Sequence, residues 1–186
     1  MPTRLFLVRH AKAEPHREME EAQWPLSSEG RRQAEELAVD LASLGVEALW
    51  SSPYPRAVDT VTPFASRHEL EIRIDHDLRE RLFSPIWMDD FEVVLKQAFE
   101  DPEFSLPGGE TGRECQARVL SALERIALAH RNETIAVATH GNAIALVLGF
   151  LDPDVDFEFW KSIRNPDLFQ LEWDGAFRWR RDFRLP

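Results

Sequence analysis

The stretch "RLFLVRH", residues 4–10, decides how the rest of the chain is read. Leu5 to Val8 form an apolar run that reads as a short buried strand. The run stops abruptly at Arg9 and His10. A buried strand that ends in an arginine beside a histidine needs a reason, and the reason lies at the ends of the other strands.

Downstream, helix and strand patterns alternate. Residues 25–45 read as a helix with Ser27 as N-cap, an apolar face of Ala34, Leu37, Ala38, Leu41 and Leu44, and Gly45 at its stop. Residues 46–50 read as a second strand, 55–68 as a second helix with Pro55 near its first turn, and 70–74 as a third strand. Helices are expected over 89–99 and 111–130, a fourth strand over 134–139 and a buried helix over 142–150. Within 168–183, Asp174-Gly175 stands between two alternating runs and marks a hairpin. The alternation predicts an α/β fold with helices on both faces of the sheet. Only the loops around 15–25 and 81–109 break the rhythm, and with no repeat or linker in view a single domain over 1–186 is expected.

The formal net charge of −11 gives no reason to expect nucleic acid or an anionic membrane as partner, so any cationic site must be local. The single cysteine, Cys115, has no intramolecular disulfide partner. The start shows no cationic segment followed by an apolar one, and no apolar run has the length of a membrane span. A cytoplasmic protein is expected.

In open α/β sheets ligands bind beyond the carboxyl ends of the strands. The first strand is followed by Arg9 and His10, the second by "SSPYPRA" with Arg56, the third by "DLRER" with Glu80, and the fourth by His140. Each has an ordinary account on its own: a hydrogen-bonded structural histidine, a surface charge at a helix start, a carboxylate in a solvated turn. Their repeated placement at strand ends tips the reading towards one site. Arginine forks fit phosphate oxygens, a neutral imidazole is a nucleophile towards phosphorus, and a protonated carboxyl can give the leaving oxygen its proton. The set suffices for phosphoryl transfer without metal. The six histidines show no metal-binding pairing such as HExxH, and the phosphate-loop and GxSxG patterns do not occur.

Six segments resemble the signatures of the histidine phosphatase superfamily, the phosphoglycerate mutase-like proteins, in the same order: "LVRHAKAE", "PLSSEGRRQA", "SSPYPRAVDT", "DLRER", "GGET" and "ATHGNAI". They span residues 5 to about 146. Ala11 stands where the usual signature has glycine, as in an RHA variant of small phosphatase branches, and Thr139 and Thr111 replace frequent serines. Ala13 and "EPHREMEEAQW" stand where a small polar residue and an asparagine are frequent. The resemblance implies a three-layer α/β/α sandwich with a mainly parallel sheet and a C-terminal hairpin. It implies His10 as the residue that takes the phosphoryl group, Arg9 and Arg56 as holders of its oxygens, His140 as a further phosphate ligand with a part in catalysis, and Glu80 as proton donor. Asp77 and Glu110 are the next carboxylates should Glu80 not be the acid.

The activity expected is metal-independent, cofactor-free hydrolysis of a phosphomonoester through phosphohistidine, acting on a small phosphorylated metabolite. The alternatives are mutase-type transfer, removal of phosphate from a phosphohistidine protein, and a catalytically silent binding module. True mutases carry a long insertion with extra arginines after the acid, whereas residues 81–108 hold only Arg81 and Lys96 as cations. Substrate choice is placed in the loops 11–25 and 81–107. There Phe83, Trp87 and Phe91 serve either as pocket lining or as core.

Overall fold

A computed structural model describes residues 1–183. Strand β1, Thr3–Arg9, lies inside a six-stranded sheet of order β3-β2-β4-β1-β5-β6. It pairs in parallel with β4, Thr134–Thr139, and antiparallel with β5, Asp167–Trp173. On the far side of β4 lie β2, Ala48–Ser51, and then β3, Ile72–Ile74, both parallel to their neighbours. Strand β6, Phe177–Trp179, closes the hairpin with β5.

The unbroken apolar run of β1 follows from burial on both faces. Leu5 and Leu7 point with Ile135 and Val137 into one core, built with α4 (Gly112–Ala129) and α5 (Gly141–Leu151). Phe6 and Val8 point with Ala136 and Ala138 into the other, built with α1 (Ser28–Ser43) and α2 (Pro55–His68). The architecture is the three-layer α/β/α sandwich with a mainly parallel sheet and a C-terminal hairpin. Helix starts carry the expected signals. Ser27 Oγ accepts from Gly30 N at 3.0 Å, Pro55 opens α2, and Thr111 with Glu114 forms a capping box on α4. Gly45 stops α1 at φ +67°.

Two elements differ from the sequence reading. The third strand keeps only Ile72–Ile74, because it is the sheet's edge and its residues are partly or wholly exposed. A short helix, α6 (Phe157–Ser162), forms where none was expected, capped by Asp156, whose Oδ1 accepts from Phe159 N at 2.9 Å. Its six residues, crowded with aromatics, are too few to show a period. Helix α3, Phe91–Glu100, follows the long loop as expected. No helix among the described residues is long and apolar enough to cross a membrane.

The parallel strands carry their carboxyl ends to one edge, where Arg9 is in register with Thr139 and Ser51 with Ala138. The loop leaving that edge is held against α1. Lys12 O accepts from Ser27 N at 2.9 Å and Ser27 Oγ at 3.0 Å. A Cβ on Gly30 would stand 2.1 Å from the same main-chain oxygen, so only glycine lets α1 approach the strand exit this closely. Gly30→Ala should therefore destabilise the fold by about 1–3 kcal/mol, whereas Gly149→Ala, whose Cβ finds its nearest neighbour at 3.7 Å, should cause no loss. Urea unfolding of both variants checks this, and a Gly30→Ala protein as stable as wild type contradicts the close approach.

Candidate active site

Arg9 is the last residue of β1 and His10 the first beyond it. His10 is fastened at its backbone: its N–H donates to Thr139 O at 3.1 Å and its carbonyl accepts from Asn165 Nδ2 at 2.8 Å. The ring is fastened as well. Nδ1 lies 2.7 Å from Ala11 O, and since a carbonyl only accepts, Nδ1 carries the hydrogen. Nε2 therefore presents its lone pair, which accepts from Arg56 Nε at 3.2 Å. Burial, and then the Arg56 guanidinium, push the imidazole down from the usual 6.5 to about 3, with Arg9 adding to the effect and the Ala11 bond opposing it.

Arg56 enters from the first turn of α2, with a side chain only 2 % exposed. Its guanidinium lies over the ring of Tyr54, 4.9 Å from the centroid, and 5.8 Å from that of Trp24. Its two terminal nitrogens both donate to one residue, Glu21, at 2.5 Å to the main-chain oxygen and 2.7 Å to Oε1. Arg9 donates through Nη1 to Ile163 O at 2.5 Å. Burial lowers its pKa, while Glu80 and Asp167 raise it. Gly141 leaves room for it: a Cβ there would meet Arg9 Nε at 2.9 Å.

His140 precedes α5, wholly buried, with Nε2 2.8 Å from Ser52 Oγ. Its ring centroid lies 5.2 Å from that of His10 and 5.0 Å from that of Tyr54. Burial first, then Arg56 and His10, hold its pKa well below the usual value.

Glu80 reaches the same place from the loop after β3. Its carboxylate accepts from Asn142 N at 3.1 Å, Ala143 N at 2.9 Å and Arg81 N at 2.9 Å. The first two are open amides of the α5 N-terminus, a natural seat for an anion. The loop is clamped from outside by Arg118 of α4, which donates to Asp77 O (2.7 Å), Arg79 O (2.9 Å) and Glu80 O (3.1 Å) and to both carboxylate oxygens of Glu110. Glu110 is thus a structural partner, Asp77 pairs with Arg125, and neither lines the cleft.

Arg9, His10, Arg56 and Glu80 line one cleft of about 840 Å³, with His140 packed behind His10. The loops 15–25 and 81–107 supply most of the remaining wall. Phe83, Trp87 and Phe91 all line it, and Phe83 also packs with Leu95 and Ala98 in a small core of its own. Among the described residues, the buried side-chain nitrogens and oxygens without a hydrogen-bond partner are Arg9 Nε, His140 Nδ1 and both polar atoms of Asn142. All belong to this edge. No group of three or more His, Cys, Asp or Glu placed to hold a metal occurs among the described residues.

The model of the histidine phosphatase superfamily, branch 1, matches residues 5–180. The chain belongs to that family. Among its relatives, phosphoserine phosphatase 1 of Hydrogenobacter thermophilus is 29% identical over 169 residues, covering 84% of this chain and 80% of its own. A bifunctional protein of Mycobacterium tuberculosis is 31% identical over 161 residues, 79% of this chain, and the match spans 43% of that longer relative. In fold the chain resembles YhfR of Bacillus stearothermophilus, with a TM-score of 0.79 and 24% identity over 96% of this chain and 95% of that one.

Two residues of this histidine phosphatase escaped the sequence reading. Glu21 lies in a loop with three other glutamates and no periodicity to single it out. Asn142 follows His140 by two positions inside an apolar helix, and a polar residue there is the signal that could have found it.

The half-buried, neutral His10 has a consequence for stability. The unfolded chain takes up a proton as pH falls below about 6.5, which the folded ring refuses until about pH 3, so stability is lost on acidification through that window. At pH 5 the part due to His10 is about 2 kcal/mol. His10→Asn should remove up to that much of the stability lost between pH 7 and pH 5, measured by urea unfolding at both. An unchanged pH slope in the variant contradicts a His10 held neutral in the folded protein.

Proposed function

We propose that the protein is a phosphatase that hydrolyses a small phosphomonoester, without metal or cofactor, through a phosphoryl group carried on His10 Nε2. The observation that carries this reading is the ring of His10: Nδ1 is tied to Ala11 O, which leaves Nε2 unprotonated and facing the cleft edge with Arg56 beside it. A nucleophile aimed at phosphorus needs that arrangement.

Arg9, Arg56 and His140 hold the phosphoryl oxygens in this reading, and the partnerless amide of Asn142 is a further donor. His10 Nε2 forms a bond to phosphorus as the ester P–O bond breaks. Glu80 gives a proton to the departing oxygen and then takes one from the water that cleaves the P–N bond, releasing inorganic phosphate and restoring His10. The guanidinium groups neutralise charge on the equatorial oxygens throughout.

Mutase-type transfer is less favoured. Arg81 is 1 % exposed and spent on Glu110 O and Phe104 O, and Lys96 does not line the cleft. The other cleft cations are paired, Lys12 with Glu29 and Arg17 with Asp89. A second phosphate would meet only the exposed Lys12 and Arg17, each already facing a carboxylate. The resemblance to a phosphoserine phosphatase supports a small substrate of the same ester class.

The test is a panel of alkyl and aryl phosphomonoesters, with and without EDTA, on wild type and Glu80→Gln. Wild type should hydrolyse both kinds unaffected by EDTA. Glu80→Gln should slow alkyl esters about 10²-fold or more, and p-nitrophenyl phosphate, whose leaving group needs no proton, far less. Equal slowing of both removes Glu80 as the acid. Loss on chelation with recovery on a divalent ion contradicts the metal-free reading.

A further inference from the structure

The contact between Glu21 and Arg56 conflicts with the chemistry of the cleft. Each guanidinium nitrogen of Arg56 already has a partner, Nε on His10 Nε2 and both terminal nitrogens on Glu21. A phosphoryl group held bidentately by Arg56 would compete for the terminal nitrogens that Glu21 now occupies. The attack by His10 would need the lone pair that now accepts from Nε. One side must move, and the burial says which: the Arg56 side chain is 2% exposed, that of Glu21 38%.

The segment that carries Glu21 lies at the surface. It is a single 3-10 turn, Glu21–Gln23, with no buried residue. It is held by the Trp24 ring against Trp87 at 5.9 Å and by Trp24 Nε1 on the carbonyls of His16 and Met19. The loop on its other side is tied by an exposed Arg17–Asp89 pair, which adds little stability.

We infer that Glu21 is an internal competitor for the phosphate site: its carboxylate and main-chain carbonyl fill the fork of Arg56, and only a ligand that binds this fork better than a carboxylate displaces them. This rests on the reading of Arg56 as a phosphate ligand. Glu21 is thereby a specificity residue. A phosphate dianion, with more charge and more acceptor oxygens, clears the threshold, and carboxylate metabolites do not.

The groups facing Glu21 are Arg56, Glu80 and Tyr54. Burial raises the pKa of its carboxyl, Arg56 opposes this and Glu80 adds to it. A protonated Glu21 loses the charge-assisted half of its hold on Arg56. The competition should therefore weaken as pH falls.

Inorganic phosphate is the probe, its affinity measured by calorimetry and as a competitive inhibitor from pH 5 to 8. Glu21→Gln should bind phosphate about tenfold more tightly than wild type at pH 8. The ratio of the two affinities, from which phosphate's own titration cancels, should shrink towards pH 5. Glu21→Ala should move the same way. Glu14→Gln, which removes an exposed charge of the same loop that does not line the cleft, should change affinity less than twofold. Equal affinity in Glu21→Gln and wild type, an equal gain in Glu14→Gln, or a fall in kcat with phosphate affinity unchanged each overturns the inference. Those outcomes leave the phosphatase reading standing, which fails separately if wild type neither binds phosphate nor hydrolyses any phosphomonoester.

Discussion

Two imidazoles and two guanidinium groups crowd one edge of the sheet, His140 and Arg56 buried and His10 and Arg9 half-buried, and the arrangement around them answers that constraint. Burial disfavours charge on His10 and His140, and the nearby guanidinium groups disfavour it further. Both rings are therefore kept neutral, with His10 fixed in one tautomer by Ala11 O. Two carboxylates answer the two arginines. Glu80 is anchored on the amides of α5, and Glu21 reaches in from a surface loop. The chain as a whole is strongly acidic, so this edge is cationic only by local construction.

The two carboxylates differ in how they are held. Glu80 is bonded to backbone at the N-terminus of an eleven-residue helix, and the loop behind it is locked by Arg118. Glu21 is bonded to one side chain and sits on a turn with no buried residue. A fixed carboxyl and a displaceable one at the same arginine-rich edge give the cleft a permanent fixture and a replaceable occupant.

Much of this was legible in the sequence because it is written in short-range pattern. The apolar run of β1, the alternation of helix and strand, and the polar residues just past the strand ends are all local features. Together they placed Arg9, His10, Arg56, Glu80 and His140 around one edge before any coordinate. What stayed hidden depends on approach through space. Arg118 is 38 residues from Glu80 and looks like an ordinary helix-surface arginine, yet it clamps the loop that aims Glu80. Glu21 is one glutamate among several in an aperiodic loop, and only the fold brings it to Arg56. The sequence reading placed Glu80 near the arginines but did not foresee the α5 amides that hold it, because those donors are backbone and carry no residue signature.

The account stands on His10 Nε2 as the atom that takes the phosphoryl group, and the direct test is to trap that species. Wild-type protein mixed with a phosphomonoester, quenched within milliseconds in alkali, digested and mapped by mass spectrometry should carry phosphate on His10. The isomer should be the Nε2-phosphoramidate, because Nδ1 is engaged with Ala11 O. Phosphate on Nδ1 or on another residue, or turnover with no covalent species at any time point, would contradict it.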